Sequence, residues 1–161
     1  MNLPFAIVPI DLLIGIASVS DELANRKIYY AVKEQVRSSL VSSFHLSGSV
    51  ERTSRFLTDF FSASGIGGVR LIHLDVENHR AILMMENNPI AAAFEGRAQK
   101  PVDHLYRGVF AGVFSHLFRL DVDCVEHQCT AVNHRNCEFI LKPVHEFDFA
   151  REEPREQLDL E

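Results

Sequence analysis

Between residues 21 and 44, Ile28, Val32, Val36, Leu40 and Phe44 recur every four residues, a spacing that places them along one face of a helix. After LSGS a second helix is predicted, with Val50, Leu57, Phe60 and Phe61 facing inward. It should close at SGIGG, where Gly65 suits a left-handed C-cap. Strand patterning then replaces helical spacing. VRLIHLDV and RAILMME read as two strands joined by the tight turn ENH. The connecting segment from Asn87 to Lys100 has room for a further helical turn or two. Residues 102 to 118 carry the clearest pattern: Val102, Leu105, Tyr106, Val109, Phe110, Val113, Phe114, Leu117 and Phe118 trace one apolar helical face. A strand through Leu120, Val122 and Cys124, a loop and a last strand CEFIL complete the chain's regular pattern.

Gly108 and Gly112 lie one turn apart in that helix. A mid-helix glycine costs about 1 kcal/mol relative to alanine, so the pair calls for a reason. Ordinary packing of the helix on a sheet is the plain one; close approach of another backbone, or of a ligand, is the sharper one.

The order helices, hairpin, helix, hairpin implies an α+β domain with an antiparallel sheet covered by helices. With 161 residues, 47% hydrophobic, the chain fits one domain with a real core. We place that domain at residues 1–145. The final segment, EFDFAREEPREQLDLE (146–161), holds seven acids against two arginines and most of the net charge of −6, so it reads as a frayed, solvated acidic tail. No basic stripe is present, which argues against a direct nucleic-acid partner.

The apolar N-terminal run LPFAIVPIDLLIGIASV lacks the positive charge that precedes a signal-peptide core. Pro4, Pro9 and Asp11 interrupt it as a membrane span. It is expected to pack in the core or against a second copy of the chain. Together with an odd number of cysteines, this predicts a cytoplasmic protein with reduced thiols.

GIGG at 65–68 fails as a dinucleotide fingerprint because a helix precedes it and a strand follows, the reverse of the required order. Nucleophile elbow, Walker loop and HExxH pair are all missing. The chemistry-bearing stretch is CVEHQCTAVNHRNCEF (124–139), which contains all three cysteines. Glu126, Cys129 and Cys137 follow E-x2-C-x7-C, and thiols facing each other across a hairpin mouth suit a tetrahedral Zn²⁺ site. A buried pair of structural thiols fits the spacing equally. Glu126 and Cys129 differ in strand parity, so a shared metal needs a bulge near His127 and Gln128. Cys124 points away and reads as a small core residue. The CxxC spacing of a dithiol redox site is absent, and a Cys129–Cys137 disulfide is disfavoured in a reducing compartment.

The stretch KPVDHLYRGVFAGVFSHLFRLDVDCVEHQCTAVNHRNCEFILKP, with its glycine-bearing helix, Glu126 and Cys129-x-Ala-x-x-His-x-x-Cys137, resembles the 4-vinyl reductase domain family. That family also supplies part of the sensory module of sigma-54 activators that respond to aromatic compounds. The resemblance implies a fold shared with haem nitric-oxide-binding domains and a TRAPP trafficking subunit. It also implies a small-molecule-binding module, commonly a homodimer. In zinc-containing sensory members a cysteine near the start of the long helix is the fourth ligand, and its position here is Asp103. The implied structural Zn²⁺ set is therefore Asp103, Glu126, Cys129 and Cys137, with His104 or His134 as substitute nitrogen donors.

On this reading the ligand is a small hydrophobic or aromatic molecule. Its pocket lies between the long helix, the preceding helices and the sheet, with Tyr106, Phe110, Val113 and Phe114 as candidates against their plain role as core. Signal output would need a protein partner. No residue stands out as a haem axial ligand, and no nicotinamide or flavin motif is present, so the family's reductase name is not taken as an activity. Two other readings follow from the resemblance: an accessory subunit of a tetrapyrrole vinyl-group reductase, and a dimeric scaffold subunit with no ligand.

Overall fold

The structure is a computed structural model that describes residues 8–19, 21–40 and 48–159. Its elements are helix α1 (Ile10–Ala17), α2 (Glu22–Gln35) running into a π-turn (Val36–Leu40), α3 (Val50–Ala63), strands β1 (Gly68–Asp75) and β2 (Arg80–Glu86), the short α4 (Pro89–Ala93), α5 (His104–Phe118), β3 (Asp123–Gln128), β4 (Cys137–Lys142) and α6 (Glu152–Leu158). Phe44 and residues 3–7 of the apolar N-terminal run lie outside the described residues. The four strands form one antiparallel sheet in the order β1-β2-β4-β3. The architecture is the predicted α+β one.

Local chemistry accounts for the boundaries. Asp21 and Ser49 cap α2 and α3 by accepting from the amides of Ala24 and Arg52. Gly65 leaves α3 with φ +83°, in the left-handed region, as its position predicted. Along β2 and β4, Ala81, Leu83, Met85, Cys137, Phe139 and Leu141 alternate inward with a period of two. β3 departs from alternation, since Asp123 through Glu126 are all buried. The cause is α6, which packs against β3 and takes part in its hydrogen bonding. Gln157 Oε1 accepts from the Glu126 amide (2.9 Å), and its Nε2 donates to the Glu126 carbonyl (3.0 Å). The expectation of a frayed, solvated tail is thereby corrected: residues 152–158 are a helix docked on the sheet edge, with Pro154, Gln157 and Leu158 buried.

α5 is buried on nearly every side, packed against the sheet on one face and α2 on another. The glycine pair explains how α2 comes so close. A Cβ on Gly108 would lie 2.7 Å from the Tyr29 carbonyl oxygen, and one on Gly112 would lie 2.5 Å from that of Lys33. The close-approaching backbone is thus α2 of the same chain, not the sheet. This removes the glycine pair as a motive for dimerisation.

The buried face of α2 is rotated from the predicted stripe. Asn25, Tyr29, Lys33 and the following Val36 are buried, whereas Ile28 is only partly so. Lys33 Nζ donates to Asp123 Oδ1 at 2.7 Å, and Tyr29 Oη donates to the same oxygen at 2.7 Å. The Tyr29 oxygen in turn accepts from the Cys124 amide (3.0 Å). A fully hydrogen-bonded ion pair, and not an apolar seam, therefore fixes α2 against the start of β3.

Candidate metal centre

Four side chains from three parts of the fold meet at the N-terminus of α5. Asp103 is the N-cap residue of α5 but makes no side-chain capping bond; its carboxylate turns inward instead. Glu126 sits on β3, where its neighbour across the ladder is Phe139, itself paired with Leu83, so the carboxylate enters the core. The β3–β4 register shifts between Glu126 and Gln128. This is the bulge that strand parity demanded, and it brings Cys129 to the same side as Glu126. Cys129 precedes a 3₁₀ turn (Thr130–Val132), and Cys137 opens β4 opposite Met85.

One potential ligand atom from each of Asp103, Glu126, Cys129 and Cys137 lies within 4.8 Å of all the others, and all four residues are fully buried. The four could hold a metal ion. His104 and His134, the two substitute donors, are not in the group. Cys124 is a buried free thiol outside it, as expected.

Two supporting residues were not legible as such in the sequence. Asn88 caps α4 through its oxygen, accepting from the amides of Ile90 and Ala91. Its amide nitrogen donates to Asp103 Oδ2 (2.6 Å) and Cys137 Sγ (3.4 Å). The signal available was Asn-Pro opening a short helix. Gln157, which brackets Glu126, lay in the segment read as solvated. The Thr130 amide also donates to Cys137 Sγ (3.4 Å), and the Asp103 amide donates to Glu126 Oε2 (3.2 Å).

The electrostatics of the metal-free cluster are strained. Asp103 Oδ1 and Glu126 Oε1 are buried with no hydrogen-bond partner, a costly state for a carboxylate. Burial pushes the Asp103 carboxyl up to about 7 and that of Glu126 well above its ordinary value, with the charge of Asp103 adding to the latter. The Cys129 thiol donates toward Cys137, which raises Cys129 and lowers Cys137 to about 5. The α5 N-terminus offers the cluster a favourable dipole. A divalent cation would partner both orphaned oxygens and offset the anionic charge, so the donor set fits one.

Without metal, both carboxyls titrate higher in the folded chain than in the unfolded one. The fold is then favoured while they are protonated. Stability is fully present below about pH 4, the unfolded carboxylate range, and declines as pH rises through the folded value near 7 for Asp103. Metal reverses this trend, because it binds the deprotonated ligands. Urea denaturation of chelator-treated and metal-loaded protein at pH 5 and pH 7.5 should show opposite pH trends. Parallel trends would contradict the assignment.

The four pocket candidates occupy the layer between α5 and the sheet, and all are buried. Phe110 makes edge contacts with Phe61 and Phe139, with ring centroids 6.0 and 5.1 Å away, and Phe114 packs on Phe118. Tyr106 Oη is buried without a partner. A separate cavity of about 360 Å³ lies outside this layer, among α1, α2, α4, α5 and α6, and includes none of the four.

Fold and cluster together define an α+β domain whose last hairpin meets the start of its central helix in a buried acid–thiol tetrad. Residues 82–143, which span that tetrad, match the model of the 4-vinyl reductase domain, and through this segment the chain belongs to that family. Among solved structures it is similar to the phenol-responsive sensory domain of the transcription activator PoxR in complex with phenol. That match has 15% identity and a TM-score of 0.75, and covers 95% of this chain and 83% of that one. It is also similar to trafficking protein particle complex subunit 3 from Naegleria fowleri, covalently bound to palmitic acid. Here identity is 13% and the TM-score 0.55, covering 82% and 88% of the two chains. A vinyl-4-reductase family protein from Methanocaldococcus jannaschii is matched at 15% identity and TM-score 0.44, over 88% and 98%. No curated protein matches the chain. Among the described residues, no helix is long and apolar enough to cross a membrane.

Proposed function

We propose that this chain is a cytoplasmic sensory domain that binds a small hydrophobic or aromatic molecule, with a structural Zn²⁺ held by Asp103, Glu126, Cys129 and Cys137. The observation that carries the sensory reading is the shared fold with a phenol-responsive domain over 95% of the chain. The apolar α5–sheet layer supports it, since Tyr106 Oη offers an unmet hydroxyl there among aromatic rings. Tyr106, Phe110, Val113 and Phe114 are the proposed ligand contacts. Four protein ligands leave a tetrahedral zinc no open position, which makes the metal structural and not catalytic. The chain's own contribution is to orient those ligands: Asn88 positions Asp103 and Cys137, and Gln157 fixes the backbone of Glu126. Signal output would pass through a protein partner.

The test is mass spectrometry of small molecules extracted from the native protein, followed by titration of the compound found. Phe110→Ala should weaken its binding by about tenfold or more, the scale of losing the packing of a large buried side chain. If the variant is destabilised by about 3–5 kcal/mol, as for a core Phe, yet binds the compound unchanged once folded, Phe110 is core alone.

A homodimer belongs to the same reading. Val8, Ile10, Leu12, Val19 and Leu23, in and around α1, are exposed large hydrophobics on one part of the chain, a concentration that soluble monomers seldom leave uncovered. Sedimentation at micromolar concentration should give twice the chain mass of 18.2 kDa. A species at the chain mass itself would overturn it.

A further inference from the structure

The cavity of about 360 Å³ has a wall chemistry of its own. Its apolar surface comes from Ala17, Val19, Phe94, Ala98 and Val102. Most of its charged groups are already engaged. Lys100 Nζ donates to Glu22 and Glu156 (2.5 and 2.6 Å). Arg107 donates to the carbonyls of Cys124 and Gln157 (3.0 and 2.7 Å). Among the described lining residues, the buried polar atoms without a partner are Asn25 Oδ1 and Arg26 Nε. Asn25 is 8% exposed, and its Nδ2 donates to the Val19 carbonyl (2.9 Å), which leaves the oxygen as the unmet acceptor. The Arg26 guanidinium is fixed through Nη1 to the Glu156 carbonyl (3.0 Å), leaving Nε as an unmet donor.

An unmet acceptor and an unmet donor on consecutive residues match one functional group. A hydroxyl donates once and accepts once. A carboxylate would satisfy Arg26 but would set a second acceptor against Asn25 Oδ1 and a negative charge near Glu22 and Glu156. An ammonium would satisfy Asn25 and oppose Arg26. The cavity volume lies within the range of small-molecule sites.

We propose that this cavity binds a small neutral apolar molecule carrying one hydroxyl group, an alcohol or a phenol, whose O–H donates to Asn25 Oδ1 and whose oxygen accepts from Arg26 Nε. The site is distinct from the α5–sheet layer, and its failure would leave that reading standing. Phenol and its methyl ether, anisole, are suitable probes, because the ether keeps the ring and the acceptor but cannot donate.

Titrating each into the metal-loaded protein, followed by amide NMR shifts, should show phenol saturating with its largest shifts at Val19, Phe94, Val102 and Gln157. Anisole should bind at least tenfold more weakly. Ala98→Trp, a substitution at a partly buried wall position that fills the cavity, should abolish these shifts, while Phe110→Ala should leave them. Asn25→Leu should reduce the preference for phenol over anisole to near unity; if that variant fails to fold, Arg26→Lys, which retains charge but removes Nε, is read in the same way. The proposal is overturned if phenol shifts centre on Phe110 and Phe139, if they persist in Ala98→Trp, or if phenol and anisole bind alike in the native chain.

Discussion

Cys137→Ser is expected to empty the metal site and lower the melting temperature by roughly 8–16 °C. The estimate assumes zinc at about a thousand times its dissociation constant, where binding adds about 4 kcal/mol to the folded state, and a shift of about 2–4 °C per kcal/mol for a chain of this size. The unfolded chain cannot preorganise ligands as far apart as residues 103 and 137, so the binding energy counts as folding energy. Cys137 also receives donors from Asn88 and the Thr130 amide, which a serine hydroxyl would meet at the wrong length. Native protein stripped with a chelator should melt close to the variant. Cys124→Ser should keep its full metal content, since Cys124 lies outside the tetrad, although burying a hydroxyl there will cost some stability of its own. Differential scanning fluorimetry with metal analysis of the same samples checks both. Equal metal content in Cys137→Ser and native protein would exclude Cys137 as a ligand.

The second large effect is expected at a position with no polar chemistry. Gly112→Ala should destabilise the chain by about 3 kcal/mol or more, at or beyond the upper end of ordinary overpacking. The new methyl would sit 2.5 Å from the Lys33 carbonyl oxygen and 2.8 Å from Val36 Cβ. Both belong to backbone or to a stiff β-branched side chain, so α2 has to move away from α5. That movement also pulls Lys33 from Asp123, leaving a buried charge unpaired. Gly15 is the contrast. It lies within α1 with nothing within 4 Å of its Cβ direction, so Gly15→Ala should raise stability by up to about 1 kcal/mol. Urea midpoints of the two variants should move in opposite directions. A neutral Gly112→Ala would mean that the two helices pack less closely than described.

Much of this was legible in the chain because it rests on local rules. The left-handed exit at Gly65, the strands on either side of ENH and the helix ending at Phe118 follow from turn chemistry and periodicity. The bulge after Glu126 followed from parity alone, since Glu126 and Cys129 can share a metal only if the strand breaks step. Asp103 needed the family resemblance. Its inward turn, away from capping α5, could not be read from an acid at a helix start.

What escaped depends on partners far along the chain. The four-residue spacing from Ile28 picked the wrong face of α2, because the true face is anchored by Tyr29 and Lys33 on Asp123, 94 and 90 residues away. Gln157 was hidden in an acidic segment whose charge suggested solvent. The helix Glu152–Leu158 keeps those acids largely on its outer side and turns Gln157 and Leu158 inward, onto β3. The glycine pair announced a close approach, but only the fold could say that α2 was the partner.

The account turns on whether the buried tetrad holds zinc. Elemental analysis of native protein produced with ample zinc, buffer-exchanged at neutral pH, decides this most directly. The account predicts about one zinc per chain, the stoichiometry of a closed four-ligand site, and its retention through exchange. Less than about a tenth of an equivalent, far below what such tight sites keep, would contradict it and leave Cys129 and Cys137 as ordinary hairpin thiols beside two protonated acids.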